Sequence, residues 1–180
     1  MQGLDKGLQP YDGTALALRV LRRLAPQVDG VVINANRNAA AYEAMGAPVV
    51  PDSLPDQPGP LAGFLAGLEN CMSECLVAVP CDVPPLPLDL VARLHAALES
   101  EGTELAMAAT REAGQVRLQP TFCLMRIGVR ESLRRFLATG ERKVSAWTAT
   151  LPSTVVVFDD LAAFANVNTL ADLHALPRQA

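Results

Sequence analysis

The sequence predicts a three-layer α/β/α fold with a mostly parallel, Rossmann-like sheet. Short runs rich in β-branched residues alternate with longer segments of helical periodicity, and half of the 180 residues are hydrophobic. No repeat, low-complexity tract or linker divides the chain, and its length suits one core. We therefore expect a single domain over residues 1–180.

The first half of the chain supplies three predicted helices and two predicted strands. Residues 14–25 carry apolar side chains at helical spacing, which is typical of an amphipathic helix. The second helix is expected to stop at Gly46, because glycine favours the left-handed conformation that ends helices. In chain order, the predicted elements are a helix over 14–25, a strand over 31–33 that ends at Asn34, a helix over 38–45, a strand over 48–50 and a helix over 60–70.

The second half supplies four further strands and three helices. Pro87 suits the first turn of a helix, where its missing amide costs little. Thr169 is a good N-cap for a short C-terminal helix. In chain order, the predicted elements are a strand over 76–79, a helix over 87–99, strands over 105–109 and 121–125, a helix over 127–138, a strand over 154–158 and the helix after Thr169.

Composition and charge exclude several classes of function. The net charge of −4 argues against a nucleic-acid binder, which needs basic patches to neutralise phosphates. No stretch reaches the ~18 unbroken apolar residues of a membrane span, and residues 1–6 do not resemble a secretory signal. We expect a cytoplasmic protein. Only two of the 15 basic residues are lysines, Lys6 and Lys143, which serve either a small anionic ligand or surface solubility.

Polar side chains follow three of the predicted strands. Asn34, Asp52 and Asp82 each come directly after, or close after, a strand. Ligands of open α/β sheets bind beyond the carboxyl ends of the strands. One such residue would be ordinary, because Asn and Asp favour turns, but three together predict a binding site.

Asp82 lies in a turn stiffened by prolines on both sides, Val79-Pro80-Cys81-Asp82-Val83-Pro84-Pro85. A carboxylate held on such a rim suits Mg²⁺, which binds through one or two carboxylates plus substrate phosphates. The alternative interpretation is an aspartate that caps the turn.

The segment from Asp52 to Gly63 is a proline-rich loop that opens onto a helix. A helix N-terminus near Pro60 would present free amides and a positive dipole end to an anion. Asp52 can accept hydrogen bonds from a base edge or a ribose hydroxyl. The alternative is a rigid surface loop without a ligand.

Two further polar groups lie near the C-terminus. Asn166 and Asn168 point to the same side if their segment is extended. They can bind a metal-bound phosphate or a pterin edge, or they can cap the final helix. Arg142 and Lys143 add two cations, for which a solvated charge run is the alternative explanation.

Taken together, these motifs resemble the molybdenum cofactor guanylyltransferase (MobA) family along nearly the whole chain. Several segments match in the family's order and spacing, which is more specific than any one of them alone. They are Asp5-Lys6-Gly7-Leu8, Val32-Ile33-Asn34-Ala35-Asn36-Arg37, Pro58-Gly59-Pro60-Leu61-Ala62-Gly63, Pro80-Cys81-Asp82, Arg117 with Pro120-Thr121, Gly140-Glu141-Arg142 and Asn166-Val167-Asn168-Thr169.

The resemblance implies a nucleotide-diphospho-sugar-transferase-like fold and an enzyme that transfers GMP from GTP to the phosphate of molybdopterin or molybdenum-molybdopterin, with release of pyrophosphate. The nucleophile is already anionic, so catalysis would be mainly positioning and electrostatics, without a dedicated protein base. It also implies transient contact with other molybdenum cofactor biosynthesis proteins or with molybdoenzyme chaperones. By resemblance, Lys6 contacts the GTP phosphates, Asp82 binds Mg²⁺, Asn34 and Asp52 hold the guanosine, and Asn166, Asn168, Arg117, Arg142 and Lys143 line the molybdopterin side.

The chain departs from the family's pattern in two ways. The family has Leu-Ala-Gly-Gly, the end of a first strand and a phosphate-binding loop, ahead of the point where Met1 stands. We therefore expect the first strand to be missing from the sheet, with a folding defect and weak transfer, and we hypothesise an upstream start site. Gln119 stands where the family usually has histidine.

Two alternatives remain beside the resemblance. One is a related cytidylyl or sugar-phosphate nucleotidyltransferase, because such enzymes share the metal aspartate and the lysine. The other is a truncated, non-catalytic protein that binds a nucleotide or a partner.

Overall fold

A computed structural model describes residues 5–54 and 59–165. The helices are α1 (Leu16–Leu24), α2 (Ala39–Glu43), α3 (Pro60–Asn70), α4 (Leu90–Glu101), α5 (Arg130–Ala138) and α6 (Val144–Thr148). The strands are β1 (Pro10–Tyr11), β2 (Thr14–Ala15), β3 (Ile33–Asn34), β4 (Val49–Val50), β5 (Cys75–Ala78), β6 (Leu105–Glu112), β7 (Gln115–Arg126) and β8 (Ser153–Phe158). Short 3-10 turns lie at Lys6–Leu8, Ala25–Gln27, Ile127–Val129 and Leu161–Phe164. Within the described ranges, no helix combines the length and apolarity needed to cross a membrane.

The main sheet has four strands in the order β5–β7–β6–β8, and β3 and β4 form a separate parallel pair. Strand β7 runs antiparallel to β5 and β6, whereas β6 and β8 are parallel. Strands β5, β6 and β8 therefore point the same way, with β7 as the one reversed strand of this sheet. This topology confirms the predicted α/β class.

Strands β6 and β7 are longer than predicted because they form one hairpin. We expected strands over 105–109 and 121–125, but the pairing continues to Glu112 opposite Gln115. The turn between them consists of Ala113 (φ +49°) and Gly114 (φ +80°). Positive φ at both central residues suits the twist of a two-residue hairpin. The turn was missed because alanine, unlike asparagine or aspartate, seldom adopts this conformation.

The start of α4 corrects the expectation for Pro87. The helix begins at Leu90 rather than at 87, and Pro87 lies in the preceding turn. The side chain of Gln27 fixes this start, because its Oε1 accepts from the amide of Val91 at 3.1 Å and its Nε2 donates to the carbonyl of Pro87 at 2.9 Å. A partner 64 residues away thus supplies the capping bond that Asp89, at the N-cap position, does not make.

The remaining helices follow the prediction to within a few residues. Helix α3 spans Pro60–Asn70 as expected, with Pro60 at its first position. Helix α2 is shorter than the predicted 38–45, because Asn38 is left-handed at φ +55° and the helix begins after it. Helix α6 was not predicted. The helix expected after Thr169 lies outside the described residues.

Both faces of the main sheet are covered, which confirms the predicted three layers. Residues 105–110 of β6 are all buried, and their side chains alternate between two cores. Ala106 and Ala108 pack in the cluster that contains Leu94 of α4. Leu105 and Met107 pack in the opposite cluster, which contains α3, α5 and the fully buried Trp147 of α6.

The sheet is interrupted between β3 and β5. In the described part of the chain, β3 pairs with β4 and β5 pairs with β7, and a cavity of about 480 Å³ lies between the two facing edges. Its floor is lined by apolar side chains of α1, α3, β3 and β5, among them Val20, Leu24, Ile33, Phe64 and Val77. The interruption agrees with the expected gap in the sheet.

Candidate functional site

Four predicted site residues meet at the polar mouth of this cavity. They are Lys6, Asn34, Asp52 and Asp82. Lys6 begins the first 3-10 turn, Asn34 ends β3, and the two aspartates follow β4 and β5. The volume of about 480 Å³ lies in the range of small-molecule sites. The three strand-end residues Asn34, Asp52 and Asp82 thus line one cavity with Lys6, and their role in binding a ligand stays a prediction.

One side of the mouth is a hydrogen-bonded network around Asp52. Its Oδ1 accepts from Nδ2 of Asn34 at 2.9 Å, and its Oδ2 accepts from Nδ2 of Asn36 at 2.6 Å. The bond to Asn36 is reciprocated, since the amide of Asp52 donates to Asn36 Oδ1 at 2.7 Å. Asn34 also donates to the carbonyl of Val50 at 3.1 Å. The network fixes the carboxylate in place before any ligand binds.

Helix α3 approaches the network closely through Gly63. A Cβ at this position would lie 2.5 Å from Oδ1 of Asn34, so only glycine lets this turn of the helix come so near. Gly59, with φ +129°, is the N-cap residue of the helix, and Pro60 is its first helical residue. Gly59, Pro60 and Gly63 all line the cavity, so the N-terminal turn of α3 faces it.

The other side of the mouth holds an ion pair. Nζ of Lys6 lies 3.7 Å from Oδ2 of Asp82, and the two side chains are 41% and 18% exposed. The distance is longer than a good hydrogen bond, so the pair is a loose electrostatic contact. A partly exposed ion pair of this length contributes little stability, so this contact can give way to a ligand.

The net charge of the side chains at the cavity mouth is relevant to the expected binding of Mg²⁺. Among the residues that line the cavity, the charged ones are Lys6, Asp52 and Asp82, one cation against two anions. A triphosphate would therefore meet net negative charge unless a cation came with it. Within residues 5–54 and 59–165, no group of three or more His, Cys, Asp or Glu side chains is placed to hold a metal ion. A single carboxylate such as that of Asp82 is the kind of ligand that Mg²⁺ uses together with nucleotide phosphates and water.

The Cys81 thiol next to Asp82 is held in its neutral form. Desolvation, followed by the negative charges of Asp82 and Asp5, raises the pKa of Cys81 to about 11. A thiol with so high a pKa carries little thiolate at neutral pH and is a poor nucleophile. The sulfur lies 3.2 Å from the position that a Cβ on Gly7 would take.

Other predicted site residues do not join this group. Arg117 lies on the exposed hairpin and pairs with Glu112 at 2.9 Å. Arg142 donates to the carbonyls of Leu137 and Glu141, at 3.1 and 2.7 Å, so its Nη1 closes the end of α5. Lys143 is exposed and precedes α6. Asn166 and Asn168 lie outside the described residues.

The sequence interpretation missed two members of the site. Asn36 belongs to the Asp52 network, and its signal was its position two residues after Asn34, on the same side of an extended segment. Asp5 lies beneath the Lys6 turn and accepts hydrogen bonds from Asn38 and Tyr42. The Asp5-Lys6-Gly7-Leu8 motif contains Asp5, but its partners are 33 and 37 residues away, so the motif did not reveal its role.

Comparison with known protein sequences gives consistent matches. Residues 1–155 match the MobA-like NTP transferase domain. The chain is similar to a molybdenum cofactor guanylyltransferase of Bordetella petrii, with 55% identity over 177 residues that cover 98% of this chain and 90% of the relative. It is also similar to the protein of the same name from Bordetella pertussis, with 56% identity over 176 residues that cover 98% and 89%.

Comparison with solved structures gives the same fold. The molybdopterin-guanine dinucleotide biosynthesis protein A from Archaeoglobus fulgidus aligns with a TM-score of 0.77 and 21% identity, over 97% of this chain and 89% of that one. The 2-C-methyl-D-erythritol 4-phosphate cytidylyltransferase from Thermus thermophilus aligns with a TM-score of 0.75 and 16% identity, over 95% and 91%. At these identities the likeness concerns the fold alone, and it confirms the predicted class.

Proposed function

The chain belongs to the MobA-like NTP transferase domain family and is a nucleotidyltransferase, and we propose that it transfers GMP from GTP to the phosphate of molybdopterin or molybdenum-molybdopterin, with release of pyrophosphate. The relatives of 55% and 56% identity that bear the name molybdenum cofactor guanylyltransferase support this substrate pair. We also propose that the reaction takes place in the cytoplasm, where its substrate GTP occurs.

One observation carries the proposal: a polar network and a loose ion pair line the same cavity mouth. The network of Asp52 with Asn34 and Asn36 offers a fixed acceptor for the donor edge of guanine or a ribose hydroxyl. The pair of Lys6 and Asp82 offers a cation and a metal-binding carboxylate for the phosphates. A nucleoside triphosphate needs both kinds of contact.

Catalysis at this site would rest on positioning and charge. The attacking phosphate is already an anion, so no side chain has to remove a proton from it. Lys6 would contact the phosphates and offset the charge that builds on the leaving pyrophosphate. Asp82 would hold Mg²⁺, which supplies further positive charge to the phosphates. The N-terminal turn of α3, from Gly59, presents amides and a positive dipole end to the same space.

The molybdopterin side of the site is proposed from the family's motifs. Asn166, Asn168, Arg117, Arg142 and Lys143 are carried over from the family's motifs. Arg142 already donates to two carbonyls, so it would have to exchange these bonds for a phosphate contact. Contacts with other cofactor biosynthesis proteins or with molybdoenzyme chaperones are likewise proposed from the family alone.

A nucleotide panel tests the proposal. Pyrophosphate release is measured with molybdopterin, Mg²⁺ and either GTP, CTP or ATP, and binding of each nucleotide is titrated in parallel. We expect release with GTP only, and its loss when the metal is chelated. Release with CTP in place of GTP would indicate a cytidylyltransferase. Selective GTP binding without release under any condition would indicate a non-catalytic binding protein.

A further inference from the structure

Three groups from one short segment surround the carboxylate of Asp5. The hydroxyl of Tyr42 donates to Oδ1 at 2.6 Å, and Nδ2 of Asn38 donates to Oδ2 at 2.9 Å. The guanidinium of Arg37 lies 3.6 Å from the same Oδ2. Both carboxylate oxygens are thus held by the start of α2. Asp5 is the residue directly before Lys6.

The residue after Lys6 is held by the same tyrosine. Tyr42 is only 4% exposed, and a Cβ on Gly7 would lie 2.5 Å from its hydroxyl oxygen. The backbone of the turn therefore rests on the hydroxyl itself, in space that only glycine leaves open. With Asp5 bonded and Gly7 packed, Tyr42 holds the chain on both sides of Lys6.

The Tyr42–Asp5 contact has fixed donor and acceptor roles at neutral pH. Burial alone would raise the pKa of Asp5, but the hydrogen bonds from Tyr42 and Asn38 and the charge of Arg37 outweigh it and lower the pKa. Burial, and then the hydrogen bond to Asp5, raise the pKa of Tyr42. The carboxylate stays ionised and the phenol stays protonated, which is a charge-assisted hydrogen bond.

We propose that Tyr42 is a positioning residue for Lys6: its hydroxyl anchors Asp5 and supports Gly7, and so directs the Lys6 ammonium toward Asp82 and the phosphates. This inference rests on the proposed function, in which Lys6 contacts the triphosphate. Tyr42 itself does not line the cavity mouth among the residues described there. Its effect on nucleotide binding is therefore indirect, and we expect the effect to pass through Lys6.

A double-mutant cycle tests this path. Binding of GTP and of inorganic tripolyphosphate, both with Mg²⁺, is measured by calorimetry for the parent protein, Tyr42→Phe, Lys6→Met and the double variant. We expect Tyr42→Phe to weaken both ligands about tenfold, because it removes a hydrogen bond to a charged group. In the Lys6→Met background the same change should have no further effect. Equal weakening in both backgrounds would overturn the proposal.

A second readout does not depend on nucleotide binding. Tyr42→Phe should speed amide hydrogen exchange of Gly7, Leu8 and Gln9. Thr148→Val removes a buried hydroxyl from α6, whose contact is with Ser145, and should leave this exchange unchanged. Unchanged exchange in Tyr42→Phe would overturn the proposal. If exchange is faster in Tyr42→Phe but the parent protein binds no GTP, the anchoring of the turn is upheld and the proposed function is rejected.

A milder variant covers the case in which Tyr42→Phe does not fold. Asn38 is exposed and left-handed at φ +55°, so Asn38→Gly keeps the backbone and removes only the second donor to Asp5. We expect the same pattern with a smaller effect. Asn38→Gly should weaken binding of both ligands two- to threefold, which is about the loss of part of one hydrogen bond. The effect should occur only when Lys6 is present. An effect on GTP that persists in Lys6→Met would count against the path through Lys6.

Discussion

The two halves of the cavity mouth are built in opposite ways. In the half that we propose for the guanine base, called the base half below, Asp52 is bonded to Asn34 and Asn36 at 2.9 and 2.6 Å, and Asn34 also donates to Val50 of β4. In the half that we propose for the phosphates, called the phosphate half below, Lys6 and Asp82 are 3.7 Å apart. The fixed half suits discrimination between nucleotide bases, because a base that cannot donate to a rigid acceptor binds more weakly. The loose half suits charge that changes during the reaction, because its groups can follow the phosphates.

The largest expected effect comes from the phosphate half. Asp82→Asn removes the carboxylate charge that we propose for Mg²⁺ and should lower guanylyl transfer at least about a hundredfold, with the fold intact. Pyrophosphate release and circular dichroism measure the two quantities. Asp89→Asn is the matched control, because Asp89 is 61% exposed and pairs only at 3.7 Å with Arg93. Transfer within a few-fold of the parent protein would remove Asp82 from the site.

The next effect comes from the base half. Asp52→Ala removes the proposed acceptor for the base and one hydrogen bond from each of Asn34 and Asn36, so GTP binding should weaken roughly ten- to a hundredfold. Binding of tripolyphosphate should change little, because it lacks a base. Calorimetry of both ligands measures the difference. If both weaken equally, Asp52 acts on the phosphates or on the fold instead.

A pair of glycines on one helix sharpens the comparison. Gly63→Ala would put a Cβ 2.5 Å from Oδ1 of Asn34, so we expect GTP binding to weaken a few-fold as the network shifts. Gly67→Ala is the control, since its Cβ would meet the flexible end of Leu76 at 2.9 Å. That change should alter thermal stability without altering the ratio of GTP to CTP affinity. A loss of selectivity in Gly67→Ala would show that general damage to α3 explains both.

The smallest effect concerns acid stability beside the base half. Ser53 and Arg134 both donate to Glu69, and these bonds hold the pKa of Glu69 below its ordinary value although burial acts to raise it. The stabilisation is therefore present above about pH 4.3, the unfolded value, and is lost as the pH falls through the lowered pKa.

Glu69→Gln should accordingly lower the free energy of unfolding by about 1 kcal/mol or less at pH 7, and the difference should fade in acid. Denaturant titrations at neutral and acid pH measure it. Glu131→Gln, which removes the more exposed partner of Arg134, should cost less. A difference that stays constant with pH would separate Glu69 from this ion pair.

The sequence predicted most where local chemistry decides the structure. Helix α3 was predicted over its full length because Pro60 marks its first turn. The meeting of Asn34, Asp52 and Asp82 followed from one topological rule about strand ends. Each of these inferences needed only residues that are neighbours along the chain, or a rule that holds for the whole fold class.

Prediction failed where a distant partner decides. Gln27 sets the start of α4 from 64 residues away, and Tyr42 anchors Asp5 from 37 residues away. Neither side chain belongs to a recognised motif, so nothing in the local sequence distinguishes it from other residues of helical segments. The hairpin turn was hidden for a different reason, because Ala113 adopts a conformation that its type seldom takes.

Strand β6 belongs to the stable core of the molecule, apart from the strands that border the cavity. It is hydrogen-bonded on both sides, to β7 and β8, and its residues 105–110 are buried. Amides of such a strand exchange with solvent only when the whole chain opens, whereas the two-residue strands β3 and β4 can open alone. Nucleotide binding should therefore slow exchange at 33–34 and 49–50 many-fold while leaving the slowest amides of β6 to report global unfolding. Local opening of β3 and β4 would then leave the free energy of global unfolding unchanged.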